Sequence, residues 1–149
     1  MIVVNSGDGG GDRCTVAITP GSKNGTRSGL LWESKRPKFM PYVPCFLSRG
    51  EHLYWVSDDG YAGCAVAKTG ELVWRERLGG DITASPVLIG DKVYATNEAG
   101  DVFVFAAEPK YKLLAKNSVG EGVFATPAVA DGKLYVRGKS HLYCIGKGK

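Results

Sequence analysis

At 149 residues, with 21 glycines, 10% aromatics and no apolar run near the roughly 18 residues that cross a bilayer, the chain reads as one domain of short strands and tight turns. Its formal net charge of +4, from 19 Lys and Arg against 15 Asp and Glu, permits an anionic partner but does not demand one. Met1-Ile2-Val3-Val4 runs at once into Asn5-Ser6-Gly7-Asp8, so no apolar signal core is visible, and the expectation is that an upstream part was cut away or lost.

Ile2-Val3-Val4 is a short strand, followed by a glycine-rich loop from Gly7 to Asp12. A phosphate loop would close with Gly-Lys-Ser/Thr; here the residues are Gly11-Asp12-Arg13, which reads as a hairpin loop. Cys14 to Ile18 is a strand, and Pro20 to Ser28 is a polar loop with the sequon Asn24-Gly25-Thr26. Leu30-Leu31-Trp32 is a strand, followed by a basic connection interrupted by Pro37. Lys35, Arg36 and Lys38 come with no aromatic platform or recognition helix, so they read as a solvated loop rather than a nucleic-acid site.

From Tyr42 a repeat emerges. Strands are expected at Phe46–Arg49, Leu53–Val56, Cys64–Ala67 and Leu72–Trp74, separated by Gly50-Glu51-His52, Asp58-Asp59-Gly60 and Thr69-Gly70. A second pass has Pro86–Ile89, Lys92–Thr96, Val102–Ala106 and Lys112–Leu114. A third has Ala125–Val129, Leu134–Val136 and His141–Ile145. Tyr54 and Tyr94 are 40 residues apart and Tyr94 and Tyr135 are 41; Gly60 and Gly100 are 40 apart, and Pro86 and Pro127 are 41. A period of about 40 residues holding four strands is that of a β-propeller blade, and no helical segment is legible.

The signature Ala65, Ala67, Thr69, Gly70 and Trp74 resembles the PQQ-like propeller repeat, which occurs in quinoprotein dehydrogenases and in BamB-type outer-membrane assembly lipoproteins. The fuller run, with Leu53-Tyr54-Trp55-Val56-Ser57-Asp58, Arg77-Leu78-Gly79-Gly80 and Ala84-Ser85-Pro86, looks like BamB-like proteins of planctomycete-type bacteria. The resemblance implies an all-β propeller, an envelope or periplasmic setting if an upstream signal existed, and no particular activity. It also implies that Trp74, and Trp32 before it, pack between blades. Leu114 is expected in the Trp place of the next blade, where Pro109-Lys110-Tyr111 replaces Lys-Thr-Gly, so that blade should dock less well.

A quinoprotein dehydrogenase needs a carboxylate base, Ca²⁺ ligands and an aromatic floor for the quinone. Here the acids fall in Asp58-Asp59-Gly60, Gly90-Asp91, Gly100-Asp101 and Asp131-Gly132, repeating at blade spacing as hairpin turns do. The full Ca²⁺ loop is missing, and His52 and His141, the two histidines, both begin strands. Cys14, Cys64 and Cys144 each read as opening the third strand of a blade and as small buried apolar residues. His141-x-x-Cys144 is half of a zinc spacing.

The expected architecture is therefore a half-propeller of four blade-like units: a partial blade at 1–40, blades at 41–83 and 84–124, and a partial blade at 125–149. The structural repeat positions are Trp32, Tyr54, Gly60, Thr69, Gly70, Trp74, Pro86, Tyr94, Gly100, Pro127 and Tyr135. The function expected is a non-catalytic scaffold without cofactor or metal, binding a protein partner or a second copy of itself. The alternatives are a remnant quinoprotein module, or a propeller that binds carbohydrate through Tyr42, Trp55 and Tyr61.

Overall fold

The computed structural model describes residues 1–6, 14–21, 29–34 and 41–146. The glycine-rich loop at 7–12, the sequon at 24–26 and the basic run at 35–38 lie outside them. The described residues form fourteen strands and no α-helix, and no helix is long and apolar enough to cross a membrane.

The strands form four antiparallel meanders. The first is β1 (Ile2–Ser6), β2 (Cys14–Ile18) and β3 (Leu30–Ser34). The second is β4 (Leu47–Arg49), β5 (His52–Val56), β6 (Tyr61–Val66) and β7 (Leu72–Arg77). The third is β8 (Val87–Ile89), β9 (Lys92–Thr96), β10 (Asp101–Ala106) and β11 (Leu113–Ser118). The fourth is β12 (Ala128–Ala130), β13 (Lys133–Arg137) and β14 (Leu142–Ile145). These are blades of a β-propeller, two with four strands and two with three. The outer strands run further than expected, β7 to Arg77 and β11 to Ser118, because polar residues that face water still complete the backbone ladder.

Burial follows position in the blade. Strands β5, β6 and β10 are buried along nearly their whole length, on both faces, because a blade lies on either side of them. The outer strands β7 and β11 are mostly exposed. In the last blade β12 is exposed throughout.

Two expectations of register are corrected. Tyr54 pairs with Cys64, Tyr94 with Val104 and Tyr135 with Cys144, so those two cysteines are equivalent. In the first blade, however, Trp32 pairs with Ala17 as Trp74 pairs with Cys64, which puts Ala17 rather than Cys14 in that place. Burial differs accordingly: Cys64 is buried, Cys14 is half-buried and Cys144 is exposed. The residue opposite Val104 is Ala115, so Ala115 and not Leu114 takes the Trp74 position. The turn before β11 is one residue longer than the turn before β7, which moves every later residue along by one.

Gly60 and Gly100 end the turns between the second and third strands of their blades, with φ of 79° and 92°. A Cβ on Gly60 would lie 2.2 Å from the Gly80 carbonyl oxygen, and one on Gly100 would lie 2.0 Å from that of Glu121. In both cases the segment leading to the next blade crosses directly over the turn, and the Leu78 and Val119 N–H groups donate to the Gly60 and Gly100 carbonyls. Gly60→Val and Gly100→Val should each cost more than about 2 kcal/mol from left-handed strain plus displaced backbone. The same substitution at Asp59 or Ala99 should cost well under half of that. Urea unfolding of the four variants checks this, and equal losses at all four sites would contradict the geometry.

Candidate functional site: blade seams and open end faces

The seam between the second and third blades is built on Trp74. Its ring is 6.3 Å from Tyr54 on its own blade, and 5.9 Å from Phe105 and 5.1 Å from Tyr111 on the next, by ring centroids. Its indole N–H donates to the Glu108 carbonyl at 3.0 Å, which fastens the outer strand of one blade to the turn of the following one. Tyr54, Val56 and Cys64 meet Ile82, Val93, Ala95 and Phe105 behind it.

Trp32 does the same one blade earlier. Its indole N–H donates to the Ala67 carbonyl at 2.9 Å, and its ring lies on Gly70, where a Cβ would come within 2.7 Å of it. The Thr69-Gly70 pair thus serves the seam as well as the turn. The Thr69 hydroxyl accepts from the Glu71 N–H, and the missing side chain at Gly70 admits the indole. In the third blade Tyr111 meets the Trp74 ring instead, so that blade is well fastened on its near side, contrary to expectation. The thin seam is the next one, behind Ala115, where Val123, Leu134 and Val136 meet partly buried Val87, Ile89 and Tyr94.

A second set of links steps from blade to blade. The Cys45 N–H donates to the Ser85 hydroxyl at 3.0 Å, and the Ser85 N–H donates to the Thr126 hydroxyl at 3.0 Å. Pro44, Pro86 and Pro127 beside them are buried, and proline brings no N–H that would need a partner there. The recurrence of Ser85-Pro86 and Thr126-Pro127 was legible; the hydrogen bond that it serves was not. Tyr135, equivalent to Tyr54 and Tyr94, is half-buried.

The acids act as backbone clasps. The Asp58 carboxylate accepts from the N–H groups of Tyr42 (2.7 Å) and Val43 (3.1 Å), tying a hairpin turn to the segment that leads into its blade. Glu121, which sequence reasoning passed over, accepts from the Ser140 N–H at 2.7 Å, the His141 N–H at 3.1 Å and the Tyr143 hydroxyl at 2.9 Å, and it also pairs with His141 Nδ1. Partial burial pushes its carboxyl up, but these hydrogen bonds outweigh it and hold the group down to about 2.

Burial pushes the Cys64 thiol up to about 11 and raises the Tyr54 hydroxyl, so neither ionises near neutrality. His141 is engaged by Glu121, while Cys144 lies exposed on the last strand. Among the described residues no group of three His, Cys, Asp or Glu could hold a metal ion. The carbohydrate platform does not assemble: Trp55 is 1% exposed, and the Arg75 guanidinium covers the Tyr61 ring at 3.4 Å.

On the two end blades, residues equivalent to seam residues are exposed among the described residues. On the first blade Ile2 and Val4, equivalent to buried Leu53 and Trp55, are each 46% exposed. On the last, Leu142 is 67% exposed, where its equivalents Ala62 and Val102 are buried.

A family model described as outer membrane protein assembly factor BamB matches residues 25–109 and again 58–148. The chain belongs to this family of PQQ-like β-propeller repeat proteins. It is 33% identical over 107 residues to the outer membrane protein assembly factor BamB of Burkholderia pseudomallei, a match covering 72% of this chain and 28% of that protein. The chain thus spans under a third of that relative. The BamB crystal structure from Moraxella catarrhalis superposes with a TM-score of 0.61 at 16% identity, over 86% of this chain and 35% of that one. A europium-containing methanol dehydrogenase gives 0.59 at 14% identity, over 78% and 22%. At these identities the last two attest the BamB-type propeller fold alone.

Trp74→Ala should cost about 2–4 kcal/mol, somewhat below the figure for a fully enclosed ring because Trp74 is half-buried. Denaturant melts measure it, and a loss under about 1 kcal/mol would mean that the seam closes without the indole. Glu121 makes a pH prediction. Its folded pKa is depressed from 4.5 to about 2, so its contribution is complete above about 4.5 and is lost as the pH falls toward 2. The wild-type melting temperature should therefore fall more steeply over that window than that of Glu121→Gln; parallel curves would contradict the clasp.

Proposed function

We propose that this chain is a non-catalytic propeller segment that binds protein, and that its first partner is a second copy of itself. The observation that carries the reading is the pair of end faces. Residues equivalent to Ile2, Val4 and Leu142 are buried wherever one blade lies on the next, and soluble chains do not leave such surfaces and strand edges bare. Laying the last blade of one copy on the first blade of another repeats a contact that the chain already makes at its internal seams. Done twice about a two-fold axis, it closes one ring of eight blade-like units. The BamB relative is named as an assembly factor, which supports a role through protein contacts.

Light scattering on a size-exclusion column tests this. The expected mass is twice the 15.9 kDa of the chain, and Leu142→Asp should return it to the single-chain value. A concentration-independent mass near 15.9 kDa for the wild type would defeat self-association. Added PQQ with Ca²⁺ should leave the melting temperature unchanged; a shift accompanied by a change in quinone absorbance would favour a cofactor module instead.

A further inference from the structure

The thin seam between the third and fourth blades holds a recess of about 230 Å³, lined in part by Ile89, Tyr94, Val129, Leu134 and Ile145. Two of these walls have counterparts one seam earlier. Tyr94 pairs with Val104 as Tyr54 pairs with Cys64, and Ile145 follows Cys144 as Phe105 follows Val104. Tyr54 and Phe105 are the residues that flank the Trp74 ring. Ile89 ends its strand where Arg49 ends β4, and the Arg49 guanidinium donates to the Ala107 carbonyl at 2.7 Å. Where one seam carries an indole and a guanidinium, the next carries Ala115 and Ile89. The recess between these walls is lined mainly by apolar side chains, with Lys133 as its charged wall.

We propose that this recess is a binding site for one tryptophan-sized aromatic side chain presented by a protein partner. The proposal rests on the protein-binding reading above and adds the chemistry of what is bound. The occupant is argued from the chain itself, since a Trp fills the corresponding place between equivalent walls one seam earlier. Size permits it: a dry cavity of about 150 Å³ takes benzene, and this recess is larger. Tyr94 supplies an aromatic wall for a ring contact. A side chain presented by a protein is the occupant that agrees with the protein-binding reading above. Val129 on β12 and Ile145 on β14, at the two edges of their sheet, are 49% and 47% exposed, so the recess is open at its rim.

The test uses N-acetyl-tryptophanamide titrated into the full chain, followed by NMR at Ile89, Tyr94 and Ile145. A saturable shift with a Kd on the order of millimolar is expected, as for a single side chain without the rest of its partner. N-acetyl-leucinamide over the same range should produce no saturable shift. Ala115→Trp supplies the indole from within, and Ile89→Arg restores the side chain of the preceding seam; each should weaken binding at least tenfold. Melts show which variant remains folded, and either one suffices. No saturable shift, an equal response to the leucine probe, or unchanged affinity in a folded variant would overturn the site. The outcome is separable from self-association: a monomer that binds the tryptophan probe keeps the site and defeats the dimer, and a dimer that does not bind it does the reverse.

Discussion

Trp74 stands between two sheets, and its position shows the constraint under which the whole chain folds. A single four-stranded sheet of about 40 residues has two apolar faces and no core of its own. Its middle strands become buried only when another sheet is laid on each side. Tyr54 and Cys64 are therefore as much part of the third blade's environment as of the second's, and Phe105 is buried from the opposite direction. The indole completes that contact where the sheet is most exposed, at its outer strand, and its N–H reaches a carbonyl of the next blade, so stacking and register are secured together.

Such stacking is workable only if the connecting backbone is satisfied in a confined space. The segment between blades passes over the hairpin turn so closely that Gly60 and Gly100 have no room for a side chain. It is then tied down by main-chain bonds and by the Asp58 and Glu121 carboxylates, which accept N–H groups that would otherwise be left without partners. The alternation of Cys45, Ser85 and Thr126 along successive blades meets the same need at the first strand of each sheet.

Because every seam is made the same way, differences between seams carry the specific information. Trp32 on Gly70, Trp74 on Tyr111 and Ala115 at the third seam are three solutions to one packing problem. The third is the least filled. On the two end blades, Ile2, Val4 and Leu142 are exposed where their equivalents at the internal seams are buried.

The sequence alone determined the repeat, the strands and the turns. A period of about 40 between blades is written in local chemistry, in short apolar runs and in the turn glycines that separate them. The same local chemistry misled over the outer strands, because the second halves of β7 and β11 are polar and their length is set by ladder bonds to a neighbour. Only the tertiary structure decided which residues are equivalent. One extra residue before β11 moved the Trp place from Leu114 to Ala115, and pairing separated Cys14 from Cys64 and Cys144. It also decided that Trp55 is enclosed, that Gly70 makes room for Trp32, and that Glu121 gathers donors from Ser140, His141 and Tyr143. Burial and clasping depend on what a second blade brings to the first, and that information is not local to either stretch of sequence.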